Sequence, residues 1–114
     1  MDRADILQQL AATPKQALNL SGADLNGADL TDLDLRQANL SWSNLNRANL
    51  TGADLRGANL SWASLSEASL ARTNLSKANL SATNAHKATL TQAYAAGLVL
   101  SGAILTAANL NSID

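Results

Sequence analysis

The chain has no cysteine, no phenylalanine, a single proline (Pro14) and only three aromatic residues, Trp42, Trp62 and Tyr94. Without cysteine there is no disulfide framework, no thiolate metal site and no cysteine nucleophile. The hydrophobic fraction of 46% is made almost wholly of Ala and Leu. Such an interior cannot be the irregular packing of large, varied side chains that fills an ordinary globular core. Charge of one sign is also lacking: eight basic against nine acidic residues leave a formal net of −1, whereas a nucleic-acid binder shows a clustered basic excess. No apolar run is long enough to span a membrane, and no basic start with a signal-length apolar stretch opens the chain. The expectation is one soluble, cytoplasmic domain that binds neither nucleic acid nor membrane.

What the chain does have is a ruler. In Ala38 to Leu60 one unit recurs every five residues: a small residue, an Asn or Asp, a Leu, then two polar or small residues. Every fifth position from Leu20 to Leu110 is Leu except Ala85 and Ala95. A period of five fits neither an α-helix nor a flat strand. Within a unit the small residue and the Leu are two apart, so both face one side of a short extended segment, and the chain must then turn a corner. Four such sides close a square of about 20 residues per coil, with coils stacked at roughly 4.8 Å. Outward positions 20 apart agree. Ser21, Ser41, Ser61, Ser81 and Ser101 make one column; Asn19, Asn39, Asn59 and Asn79 make another, ending at Val99. Trp42 falls under Trp62, and Arg47, Glu67 and Lys87 alternate in sign. Stacked Asn side chains can hydrogen-bond along such an axis, and alternating charges can pair along it.

Residues 1–17 lie outside the ruler and read as a helical cap, leaving 18–114 as the coil. Ile6, Leu7 and Leu10 follow a helical stripe. Asp2 suits an N-cap, with Asp5 in the first turn. Thr13-Pro14-Lys15-Gln16 reads as a second helix start, with Pro14 at the first helical position and Gln16 reaching back.

The units Ala-Asp-Leu-Asn-Gly (23–27), Ala-Asn-Leu-Ser-Trp (38–42) and Ala-Asp-Leu-Arg-Gly (53–57) resemble the pentapeptide-repeat family, and the likeness runs over 18–114 almost without interruption. The resemblance implies an all-β solenoid, a right-handed quadrilateral β-helix of about five 20-residue coils, often with an N-terminal helical cap. It also implies the family's few known roles, among them DNA-mimicking proteins that protect DNA gyrase.

In such a tube the small inward positions should be bulkier where the tube opens. Leu18 and Leu33 stand in the first coil, Leu98 and Ile113 in the last. Two lost leucines at one level, Ala85 and Ala95, would leave a void costing several kcal/mol if unfilled, so a local distortion near Tyr94 is expected.

No catalytic, cofactor-binding or metal site emerges. His86, the only histidine, stands at an outward corner beside Lys87 with no Cys, second His or carboxylate pair. The recurring Asn and Asp suit bonding of the turning backbone, and the corner glycines are not spaced as a phosphate loop. A non-enzymatic module with a protein partner is therefore expected. Trp42 and Trp62 would be its binding patch, since exposed aromatics mark interfaces, although stacked indoles also stabilise a face by themselves. The gyrase-directed alternative wants a continuous acidic surface. Residues 1–34 carry six Asp against Arg3 and Lys15, but Arg36, Arg47, Arg56, Arg72, Lys77 and Lys87 interrupt the rest. A solenoid end also exposes unpaired backbone groups. Val99, Ile104 and Ile113 make the last coil greasier, which suggests a homodimer through the C-terminal coil.

Overall fold

In the computed structural model, which describes residues 1–12 and 18–114, a helix α1 (Arg3–Ala12) is followed by a continuous four-sided coil. Among the described units, all but the one at Leu30 are closed in the same way. The Leu carbonyl accepts a hydrogen bond from the N–H three residues on, as in Ala23 N–H to Leu20 O at 3.1 Å and Ala48 N–H to Leu45 O at 3.0 Å. The third residue of this turn takes positive φ, from Gly22 (68°) to Trp42 (62°), Lys77 (61°) and Gly102 (71°). Positive φ at that place alone is the type II shape, and it explains why glycine recurs at corners.

The Asn or Asp of each unit secures the turn. Its Oδ1 accepts the N–H two residues on: Asn19 from Ser21 at 3.1 Å, Asp34 from Arg36 at 3.2 Å, Asn79 from Ser81 at 2.9 Å. In the Asn column the serine hydroxyl adds a second bond, Ser41 Oγ to Asn39 Oδ1 at 2.6 Å. The expected amide bonding along the axis is therefore absent from this column, because each oxygen is already held by its own turn.

Between corners, one residue per side pairs in parallel with its counterpart 20 residues away, from Asn19↔Asn39 and Asp24↔Asn44 to Thr89↔Asn109. This is the expected quadrilateral β-helix: coil 1 is 18–37, coil 2 38–57, coil 3 58–77, coil 4 78–97 and coil 5 98–114. Together with its cap it measures 36 × 24 × 21 Å. Leucines from Leu20 to Leu90 line the tube and are buried, with Ala at most of the small positions. Ser43, Thr73 and Thr83 are buried among them, and their hydroxyls donate to Leu40 O, Leu70 O and Leu80 O at 2.6, 2.8 and 2.9 Å. Buried polar groups must be paired, and no described buried side chain lacks a partner.

The ends differ from the expectations in detail. Asp2 and Asp5 do cap α1, reciprocally: Asp5 N–H to Asp2 Oδ1 at 2.9 Å and Asp2 N–H to Asp5 Oδ2 at 3.2 Å. Ile6 is fully buried on the tube and Leu10 packs against the core, but Leu7 is 45% exposed. One residue rotates a helix by about 100°, so Leu7 cannot share the docked face of Ile6 and Leu10. The second start at Thr13–Gln16 lies outside the described residues. Leu18 and Leu33 close one end, and Leu98 and Ile113 pack half-buried at the other. No distortion occurs at Ala85 or Ala95. Their N–H groups reach Ile104 O (2.8 Å) and Asp114 O (2.7 Å) in register, Ala85 stays buried, and Tyr94 points outward at 56% exposure. The backbone bonds that set each corner do not involve the Leu side chain, so its loss leaves the path unchanged.

Candidate interaction surface

The Trp42 and Trp62 rings stack with centroids 5.0 Å apart and planes within 4°, yet remain 65% and 57% exposed. Both stand at positive-φ corner positions. Their column is otherwise Gly22, Ala82 and Gly102. A bulky side chain in the left-handed region costs roughly 1 kcal/mol, and an aromatic pair returns about 0.5–1.5 kcal/mol. The fold therefore gains little from these indoles, while the surface gains a rigid aromatic blade. The space beside Gly22, below Trp42, holds no atom within 4 Å of a would-be Cβ.

The side formed by Asp34, Asp54, Asn74 and Tyr94 holds an ion-pair staircase. Arg36 grips Asp34 through Nε (2.8 Å) and Nη2 (2.7 Å), Arg56 grips Asp54 likewise (2.9 and 2.6 Å), and Arg36 Nε lies 3.9 Å from Asp54. Hydrogen bonds from these guanidiniums hold both carboxyls below the usual aspartate range, against the opposing effect of partial burial. Asp29 is lowered by the Thr31 hydroxyl and N–H, with Arg3 adding charge. Arg3 also donates to Asp29 O at 3.3 Å, tying α1 to coil 1. By contrast, the alternating column does not pair internally. Glu67 and Lys87 make no side-chain bond among the described residues, and Arg47 reaches Asn26 Oδ1 at 3.4 Å instead.

Val99 and Ile104 stand outward, 42% and 51% exposed, whereas Ile113 packs against the core. The three residues grouped in the sequence are thus divided between the outer surface and the tube end. His86 is half-buried, and its N–H bonds Asn84 Oδ1 at 3.2 Å. Among the described residues no cluster of His or carboxylates could hold a metal ion, and no helix is long and apolar enough to cross a membrane. The last coil shows the kind of unpaired edge expected of a solenoid end. Among the described residues the N–H groups of Leu100, Gly102 and Leu105 meet no acceptor, although their counterparts Leu80, Ala82 and Ala85 donate to Val99, Ser101 and Ile104 carbonyls.

The sequence matches pentapeptide repeats in eight copies, over 17–52, 34–72, 43–81, 53–92 and 86–114. Among solved structures it is similar to a pentapeptide repeat protein of the cyanobacterium Cyanothece 51142, at 27% identity and TM-score 0.59, covering 96% of this chain and 94% of that one. A thylakoid-lumen pentapeptide repeat protein of Arabidopsis thaliana is 30% identical with TM-score 0.52, over 88% of this chain and 63% of its own length. One from Nostoc Pcc 7120 is 30% identical with TM-score 0.50, over 96% and 77%. No curated protein matches.

Proposed function

The chain belongs to the pentapeptide-repeat family, and from that premise we propose that it is a non-enzymatic protein-binding module, a right-handed β-helix that offers Trp42 and Trp62 to a protein partner. The observation that carries this reading is the exposed, parallel indole pair at strained corners that glycine or alanine otherwise fills. Rigid, exposed indoles bring large contact area at small entropic cost, which is why Trp dominates binding hot spots. The test is a pull-down with wild type and with Trp42→Ala plus Trp62→Ala. A partner retained by the first and lost by the second is expected; equal recovery refutes the reading. The gyrase alternative draws no support from the surface, since Asp34 and Asp54 are neutralised in place by Arg36 and Arg56.

A second reading is a homodimer through coil 5, supported by outward Val99 and Ile104 beside backbone N–H groups that meet no acceptor among the described residues. Light scattering at tens of micromolar tests it on wild type and on Ile104→Lys with Ile113→Lys. A wild-type mass near 11.8 kDa refutes it.

A further inference from the structure

The Trp pair and the apolar residues of coil 5 share one edge of the molecule. The corner column of Trp42 and Trp62 continues through Ala82 and Gly102, tied coil to coil by Trp62 N–H to Ser81 O (2.9 Å) and Ala82 N–H to Ser101 O (2.8 Å). The two sides that meet at this corner carry Val99 and Ile104, stacked on Asn79 and Asn84 of the coil below. Above Trp62 the column offers only a methyl at Ala82 and no side chain at Gly102, where a Cβ would meet nothing closer than the Ala82 backbone at 3.9 Å. The result is a shelf about two coils, or ~10 Å, long. Ala82 and Gly102 form its floor, Trp62 stands at its lower end, and Val99 and Ile104 flank its upper end.

The two charges beside the floor of the shelf are both positive, while Glu67 stands one coil below Lys87, at the corner after Trp62. Lys77 and Lys87 occupy the corners on either side of it. The Lys77 stem lies along Gly97 of the next coil, its Cγ 3.3 Å from a would-be Cβ there. Neither lysine side chain has an ion-pair or hydrogen-bond partner among the described residues. Between 58 and 113, Glu67 is the sole acidic residue, against Arg72, Lys77 and Lys87.

The geometry points to this shelf as the docking site for an acidic peptide segment bearing an aromatic side chain, an inference that rests on the protein-binding reading of the Trp pair. The incoming ring extends the indole stack over Ala82. Its apolar neighbours rest on Val99 and Ile104, and its carboxylates answer Lys77 and Lys87. A basic segment meets the lysines as like charge, and an acidic segment without a ring leaves the outer face of Trp62 bare.

Fluorescein-labelled Glu-Glu-Trp-Glu-Glu, Lys-Lys-Trp-Lys-Lys and Glu-Glu-Ala-Glu-Glu peptides test this by anisotropy at low salt. The acidic Trp peptide should bind at least about tenfold more tightly than either control. Lys77→Glu with Lys87→Glu should abolish that preference. Val99→Asn with Ile104→Asn is the decisive variant, because it restores the residue found at these places in the coil below and gives Ser101 and Thr106 N–H groups an acceptor. It should fold at least as well as wild type and lose the peptide by roughly tenfold. Equal binding of acidic and basic peptides, or full binding by the double Asn variant, overturns the shelf. If the double Asn variant retains a pull-down partner that Trp42→Ala with Trp62→Ala loses, the shelf fails while the Trp reading stands; loss by neither removes both. A wild-type dimer that the double Asn variant returns to 11.8 kDa would place a second copy there and also overturn the proposal.

Discussion

Coil 1 and coil 5 are built from the same units and differ in what lies beyond them. Below coil 1, α1 seals the tube with Ile6, and the carbonyls of Asp24 and Asp29 receive the Met1 ammonium and Arg3 Nη1, each at 3.3 Å. Above coil 5 nothing described replaces the next coil. Leu98, Leu100, Leu105 and Ile113 are half-buried, Leu110 is 37% exposed, and the N–H groups of Leu100, Gly102 and Leu105 meet no acceptor among the described residues. Coil 5 is also weaker within itself: Val99 and Ile104 cannot make the turn bond that Asn79 and Asn84 make to Ser81 and His86. In a solenoid each coil is supported only by its neighbours. Among the described residues, coil 5 is contacted on one side only and lacks two turn bonds, and both features fall on residues that border the proposed shelf.

The largest test of this contrast compares one leucine in the middle with one at the open end. Leu50 is fully buried, so Leu50→Ala should cost about 2–5 kcal/mol, the range for cavity-forming truncations. Leu110→Ala should cost less than about 1 kcal/mol, since much of that side chain is already in water. Urea unfolding followed by circular dichroism measures both; similar costs would mean that coil 5 is as well supported as coil 2.

The period of five, read with 20-residue columns, was enough to place every bridge and nearly every buried side chain, because corner, bridge and core all recur in one unit. Effects that depend on the third dimension within a unit were not legible. The Asn column looked like an axial ladder, but the nearest donor to each Oδ1 lies two residues ahead on its own turn. Arg47, Glu67 and Lys87 alternate as if paired, yet no ion pair forms between them. Leu7 matched the helical stripe but sits a rotation away from the docked face. The shelf was divided in the sequence between an aromatic pair and a greasy last coil. Only the columns ending at Val99, Gly102 and Ile104, read side by side, reveal it.

Intermediate effects come from giving each end what the other has or lacks. Asp2→Ala removes one half of the reciprocal cap on α1 and should cost about 1 kcal/mol. Faster amide exchange should appear in α1 and coil 1 and leave coil 5 unchanged. Conversely, Val99→Asn alone should stabilise by roughly 0.5–1.5 kcal/mol, one net hydrogen bond, and slow exchange at Ser101. Exchange at Ser101 unaltered by the new Asn would show that the open edge, not the missing turn bond, governs coil 5.

The smallest effect is acid sensitivity, and it should be confined to the capped half. Asp2, Asp29, Asp34 and Asp54 all have carboxyls held below the ordinary range, and all lie at the cap of α1 or in the first two coils. A group whose pKa is lower folded than unfolded binds fewer protons when folded. Its contribution is thus complete above the unfolded value of about 3.9 and disappears as pH falls through the folded value. Stability should therefore be flat from neutral pH down to about 4 as far as these groups are concerned, then decline. The decline should be shallow, because Asp34 and Arg36 are 59% and 54% exposed and exposed ion pairs contribute little. Asp54, at 28%, is the least exposed member of the staircase and should dominate it. Asp54→Asn should flatten the acid limb of the melting profile, and salt at ~1 M should mimic that loss at neutral pH by screening. Hydrogen exchange during the descent should quicken first in coils 1 and 2, where the staircase joins Asp34 to Arg56. Loosening that begins in coil 5 would show that acid acts through the open end rather than through these carboxylates.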